Sequence, residues 1–217
     1  LGRGGDSEVQ VAAPGVSRDR LYLAAASRLP EFRPAFDALT GMRFYNPSPA
    51  SIRDLQAPDS GEILHRDGGN LAGVLARLKR NSPARATRID EYLSKLATGI
   101  SGVDAKSIGP KETLEFRQTA PGSEEPWRFL AESMSDGTLR ALGVLVALLQ
   151  GGDGPGGRTT LTGIENPGSI LHPAAAGVLY DALREASQSQ QVVVTSHTPD
   201  LLDRDDIPRD SILAVVA

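Results

Sequence analysis

Apolar and polar positions along the chain follow two different periods, and the change between them divides it. Leu71, Val74, Leu75 and Leu78 recur at helical spacing, with Asn70 standing where an N-cap belongs. The next stretch, ARATRIDEYLSKLATG, puts Ile89, Leu93 and Leu96 on one helical face and has Gly99 as its stop. Upstream, Asp19 to Leu39 is helical in pattern, with interruptions at Pro30 and Pro34, and MRFYNP predicts a short strand halted by Pro47. PSPASIRDLQAPDSGE, with prolines at 47, 49 and 58, predicts a loop. Strand-like runs at Thr113–Gln118 and Trp127–Leu130 flank a turn rich in Pro, Gly and Glu.

The last third changes character. A Leu/Val/Ala-rich helix is predicted from Gly137 to Gln150, then the Gly-rich loop GGDGPGGR. Strand TTLTGI, helix AAAGVLYDALREASQS, strand QVVVT, short helix PDLLD and strand SILAVV follow in that order. Strands alternating with helices at this spacing indicate a parallel sheet, and their continuous apolar runs fit a sheet covered on both faces. No internal repeat is visible.

Composition narrows the class without choosing it. With 217 residues the chain suffices for one sizeable core or two small ones. Its 23 basic and 27 acidic residues give a net charge of −4, which argues against a broadly basic nucleic-acid surface and leaves room for a local patch. The absence of cysteine removes disulfides and thiolate metal sites. No run of about 18 apolar residues and no signal peptide is present, so a cytoplasmic protein without membrane contact is the expectation. The polar, Gly-rich start LGRGG and a strand that runs into the last residue suggest a portion cut at both ends.

Several motif fragments carry no chemistry. HRDGGN resembles a kinase catalytic loop, but Asn70 follows Asp67 by three residues where that motif needs five, so a turn and helix start account for it better. TGISGV has Val103 in place of the final Gly of a nucleophile elbow. Ser196 and His197 are neighbours whose side chains diverge on extended backbone, which disfavours a hydrolase triad. The three histidines lack zinc spacing. No G-x-x-x-x-G-K-[ST] phosphate loop occurs; GVDAKS, with Ala105 before the lysine, is the nearest imitation.

Three segments of the last third carry the chemistry. MSDGTLRALGVLVALL sets Ser135, Asp136 and Gly137 at a helix start, where free N–H groups and the dipole suit a phosphate, although such residues most often only cap. LTGIENPGSILHP ends an apolar strand in Glu165, beside Asn166 and Pro167. A carboxylate at the C-terminal edge of a parallel strand lies where α/β sheets bind ligands and can hold Mg²⁺. VVVTSHTPDLLD delivers His197 to the same edge, within reach of a phosphate oxygen or an attacking water.

In this order the segments resemble the C-terminal half of an ABC-type predicted ATPase of the RecF/SMC-like group, most strongly over 129–217. HRDGGNLAGVLARL and YNPSPASIRDL resemble inserted-lobe segments of that group. The resemblance implies an α/β P-loop NTPase fold with a mostly parallel sheet, helices on both faces and a helical inserted lobe. It divides the chain into a lobe and linker over 1–128 and a signature, Walker B and switch-histidine lobe over 129–217. SDGTLR resembles the signature, so Ser135 and Gly137, with Asp136 between them, would touch the γ-phosphate held by a second protomer. GIENPGSILHP resembles Walker B and the D-loop, with Glu165 at the Mg²⁺-associated position. TSHTPDLLD resembles the switch, with His197 as γ-phosphate sensor. The implied activity is ATP binding and hydrolysis in a head-to-head homodimer, with ATP and Mg²⁺ as cofactors and DNA or an effector protein as further partner. The family usually has a carboxylate where Asn166 stands, and an amide orients water but cannot take its proton. Gly168 stands where the family commonly has Glu, and the phosphate loop the family carries upstream is missing. The alternative is a non-catalytic, ATP-gated dimerisation module serving DNA repair or phage defence.

Overall fold

The computed structural model describes residues 23–119, 122, 125–151, 159–168, 175–197 and 199–215. A boundary between Leu39 and Thr40 separates two units. The first contributes two short helices, α1 (Leu23–Ala26) and α2 (Arg33–Thr40, whose last residue crosses the boundary). Arg33 pairs with Asp37 one turn on at 2.8 Å.

The second unit runs β1 (Met42–Tyr45), α3 (Pro49–Arg53), α4 (Leu71–Asn81), α5 (Pro83–Leu96), β2 (Ile100–Ile108), β3 (Lys111–Gln118) and β4 (Trp127–Leu130). It continues with α6 (Asp136–Leu149), β5 (Leu161–Glu165), α7 (Ala176–Ser187) and β6 (Gln191–Thr195). β1, β5 and β6 form a parallel sheet in that spatial order, in the register Tyr45–Ile164–Val194. β2, β3 and β4 form a separate antiparallel sheet. The architecture is thus α/β with a parallel sheet and an added mixed lobe. β1 pairs with residues 119 positions further along the chain, Met42 with Leu161.

α6 organises the unit. It is apolar almost all round, and burial of Leu139, Leu142, Val144, Leu145, Val146 and Leu148 puts it at the centre, against α3, α5, α7 and β5. Gly143 lets it approach the chain before α3 closely: a Cβ there would stand 2.6 Å from the Pro47 Cβ. α4 and α5 bury the stripes expected of them, Leu71, Val74, Leu75 and Leu78 on one and Ile89 and Leu93 on the other, while Leu96 is only partly buried. Both pack on β2. Lys79, Asp90, Asp104 and Arg117 tie α4, α5, β2 and β3 together through an ion network. Burial lowers the pKa of Lys79 and raises that of Asp90, each opposed by the other's charge.

On the parallel sheet, Tyr45 and Ile164 are buried and Val194 packs on the core, whereas the opposite face leaves Phe44 58% and Val193 44% exposed. Gly163 lies between those two, with no room for a Cβ against the Phe44 ring.

Some expectations need correction. The stretch 47–62 is not loop throughout: Ser48 caps α3, with Pro49 at its first turn. Asn70 holds the N-cap position of α4 without a capping bond; its buried amide accepts from the His65 N–H and donates to Asp59 and the Ile63 carbonyl. β2 runs through the two discarded motifs TGISGV and GVDAKS. With its bulge between Ile100 and Gly102, Gly102 and Val103 are buried in succession, which breaks the two-residue alternation. The strand expected at 211–216 is a 3-10 turn at Arg209–Ser211 followed by irregular chain, with Leu213 91% and Val215 96% exposed. No strand among the described residues lies alongside to complete a ladder there. PDLLD forms a single 3-10 turn, Pro199–Leu201. The start of the chain to residue 22, most of the Gly-rich loop (152–158), the D-loop stretch 169–174, Thr198 and Val216 lie outside the described residues.

Candidate functional site

The apolar run of β5 passes beneath α6 and stops where a carboxylate can no longer be buried, so Ile164 is enclosed and Glu165 reaches solvent with 58% of its side chain exposed. The next residue, Asn166, has φ +43°, a left-handed conformation that Asn tolerates better than most residues. Its N–H donates to the Thr195 carbonyl at 2.8 Å, which pins the β5 exit to the end of β6. The Asn166 Oδ1 is buried and accepts no hydrogen bond among the described residues.

Arg140, one turn into α6, gathers this loop. Its guanidinium donates to the Glu165 carbonyl at 2.9 Å and the Asn166 carbonyl at 3.3 Å. It also donates to the Pro47 carbonyl and the Asn46 Oδ1, each at 3.0 Å. Burial lowers its pKa, and the Glu165 charge opposes that shift. Asn46, just past β1, turns its amide N–H to Glu165 Oε2 at 3.1 Å. The backbone N–H of Asn46 donates to the Arg66 carbonyl, and the Arg66 guanidinium lies 3.9 Å from Glu165. Ends of three parallel strands, the turn at 65–67 and one helix therefore meet at Glu165. Beside them, under the exposed sheet face, a cavity of about 310 Å³ is lined by Phe44, Arg66, Gly163, Glu165, Val193 and Thr195.

Glu165, Asn166 and the chain leading to His197 come together at one sheet edge, and His197 is exposed two residues beyond β6. Ser135, Asp136 and Gly137 do not join them by hydrogen bonds. Ser135 Oγ accepts the Thr138 N–H at 3.2 Å and so caps α6, while Asp136 pairs with Arg53 of α3, which also donates to the Met134 carbonyl. Arg140, on the same helix, connects the two regions. Asn46, Arg66 and Arg140 were absent from the sequence-based site. Arg140 had a signal, as the only charged residue between Gly137 and Gln150 on a helix apolar on all sides.

Among the described residues no three acidic or histidine side chains are grouped to cage a metal. A single carboxylate fits Mg²⁺, which commonly takes one or two carboxylates and completes its shell with phosphates and water. Among the described helices none is long and apolar enough to cross a membrane.

No match was found among curated proteins. Among solved structures, an Smc head domain with extended coiled coil bound to the C-terminal domain of ScpA, from Pyrococcus furiosus, is 16% identical, with a TM-score of 0.43 over 57% of this chain and 30% of that one. An Smc head with coiled coil and joint from Pyrococcus yayanosii is also 16% identical, with TM-score 0.43 over 57% and 23%. A structure from a study of ATP-driven dimerization and DNA-stimulated activation of SMC ATPases is 19% identical, with TM-score 0.42 over 65% and 88%. The chain thus spans about a quarter to a third of the first two of these proteins. A family profile described as "AAA domain, putative AbiEii toxin, Type IV TA system" matches residues 31–203, which takes in every strand and helix of the second unit and the whole candidate site. The chain belongs to that AAA-domain family.

Proposed function

We propose that the chain is the signature, Walker B and switch portion of an ABC-type ATPase head, which binds ATP with Mg²⁺ and closes on a second copy of itself. Membership of the AAA-domain family supports a nucleotide-binding, ATPase-like module. The observation that carries the finer reading is the convergence at Glu165. An exposed carboxylate ends a parallel strand, a left-handed Asn with an unpartnered amide oxygen follows it, and a histidine leaves the neighbouring strand at the same level.

In this reading Glu165 holds Mg²⁺, oriented by Asn46 and faced by Arg66. Mg²⁺ held there would supply positive charge to offset that of a phosphate group. Asn166 orients the attacking water, His197 contacts the γ-phosphate, and Ser135 with Asp136 and Gly137 presents the start of α6 to the nucleotide of the second copy. Arg140 keeps Glu165 and Asn166 in register with that helix start through their carbonyls. The rival reading is a non-catalytic, ATP-gated dimerisation module. It is favoured by Asn166 itself, since an amide takes no proton from water. A further partner, DNA or an effector protein, belongs to the same proposal.

The test is turnover by this chain together with the upstream phosphate-loop segment the resemblance calls for. General-base assistance is worth about 10²–10⁴-fold. Asn166→Asp, which keeps the size and the left-handed tolerance of the residue, should raise ATP turnover at least about tenfold with nearly unchanged ATP affinity. Glu165→Gln should abolish it. Turnover that stays flat or falls in Asn166→Asp removes Asn166 from the water-orienting position.

A further inference from the structure

The α4–α5 elbow has a charge pattern unlike the rest of the chain. Residues 76–88, ARLKRNSPARATR, hold five basic residues and no acidic one in a protein of net charge −4. Two of the five serve the fold: Lys79 pairs with Asp90 and Asp104, and Arg88 pairs with Glu91 and Glu185. No carboxylate among the described residues lies within salt-bridge distance of Arg77, Arg80 or Arg85. The helix dipole accounts for Arg80 in the last turn of α4. It does not account for Arg85, which stands in the first turn of α5, where the dipole disfavours a cation and no acidic residue compensates.

Arg77 and Arg85 line one cavity of about 190 Å³ with Asn81, Ser82 and Gln150, and the exposed Glu62 is its single acidic wall residue. A second cavity of about 610 Å³ shares Arg85 and Gly151 with the first and continues past Arg88, the Glu185 that pairs with it, Ser189 and Gln190. Arg85 lies over Gly151, where a side chain would leave it no space, and donates to the Gln150 carbonyl at 3.3 Å. The cations thus form a track across two helices rather than one pocket, which suits a repeating anion better than an isolated one. Phe32, Leu39, Phe44, Leu55, Trp127 and the other exposed large apolar side chains among the described residues all lie outside residues 76–88. A protein partner would find no apolar anchor there, and a base would find no ring to stack on.

We infer that the elbow carrying Arg77, Arg80 and Arg85 is a docking surface for the phosphodiester backbone of a nucleic acid, held by charge and without base readout. This deepens the partner element of the proposed function and rests on it in that respect, but it requires no nucleotide. Binding of a fluorescent DNA duplex of about 20 bp is measured by anisotropy at low salt without ATP, so failure here stays separate from failure of the ATPase reading. A single strand of the same length and a polyglutamate peptide serve as parallel probes. Three phosphate contacts predict a slope of about −3 in log K against log salt. Arg77→Glu/Arg80→Glu/Arg85→Glu should weaken duplex binding at least about tenfold and flatten the slope. The same charge change at Arg28, Lys111 and Arg209 should leave most of the binding. If charge reversal alters the melting temperature, the triple Gln variant replaces it. Absence of nucleic-acid binding by the unaltered chain, equal losses in the two triple variants, or preference for polyglutamate would each overturn the inference.

Discussion

Arg140 is the residue on which the site's geometry depends most. Its fork serves acceptors on both sides, the Pro47 carbonyl and Asn46 towards β1 and the Glu165 and Asn166 carbonyls towards β5. Arg140→Ala strands these acceptors and should cost about 2–3 kcal/mol of stability, read from urea denaturation. Arg140→Lys should recover less than half of that, since a point charge cannot reach both sides. Full recovery by Lys would show that charge alone matters. The strand-end carboxylate, the Asn after it and the histidine were legible in the sequence, because each sits at the tip of an apolar run. The partners of Glu165 were not. Asn46 is 119 residues away and Arg66 lies in a turn, and no local pattern encodes such a contact.

At the scale of elements, the parallel strands and long helices followed directly from periodicity, and β2 did not because its bulge hides the alternation. Between elements, α5 and α7 are joined by Arg88, Tyr92 and Glu185: Glu185 accepts from the Arg88 Nε and from the Tyr92 hydroxyl, at 2.9 and 2.8 Å. The Arg88 bond, foremost, holds the Glu185 pKa below its ordinary 4.5, and burial opposes that shift. A depressed folded-state value means the contribution is complete above the unfolded-state value and is lost as pH falls through the folded one. Glu185→Gln should therefore lower the melting temperature at neutral pH, and the gap to the unaltered protein should close as pH drops below about 4.5. A gap that is constant from pH 7 to 3 would mean that the ion pair contributes nothing and only shape was lost.

For the whole molecule, the parallel sheet leaves two features open among the described residues. β6 ends the sheet with no strand beyond it, and the face bearing Phe44 and Val193 is exposed. Such an edge beside an apolar face invites association. Sedimentation at about 100 μM should show concentration-dependent association, reduced by Val193→Lys, whereas a monodisperse monomer at that concentration would contradict it. The candidate site lies at the C-terminal ends of the strands, centred on the middle one, β5. Without a phosphate loop in its 217 residues, the chain should hold Mg-ATP only at millimolar affinity, since the contacts left are too few to offset the association cost.

The most direct measurement is therefore a Mg-ATP titration into the tens of millimolar, followed by amide and side-chain NMR signals and set against magnesium alone. Saturating shifts are expected at Glu165, Asn166, Thr195 and His197, and these are lost in Glu165→Ala. Shifts elsewhere only, or none beyond those of magnesium alone, would contradict it.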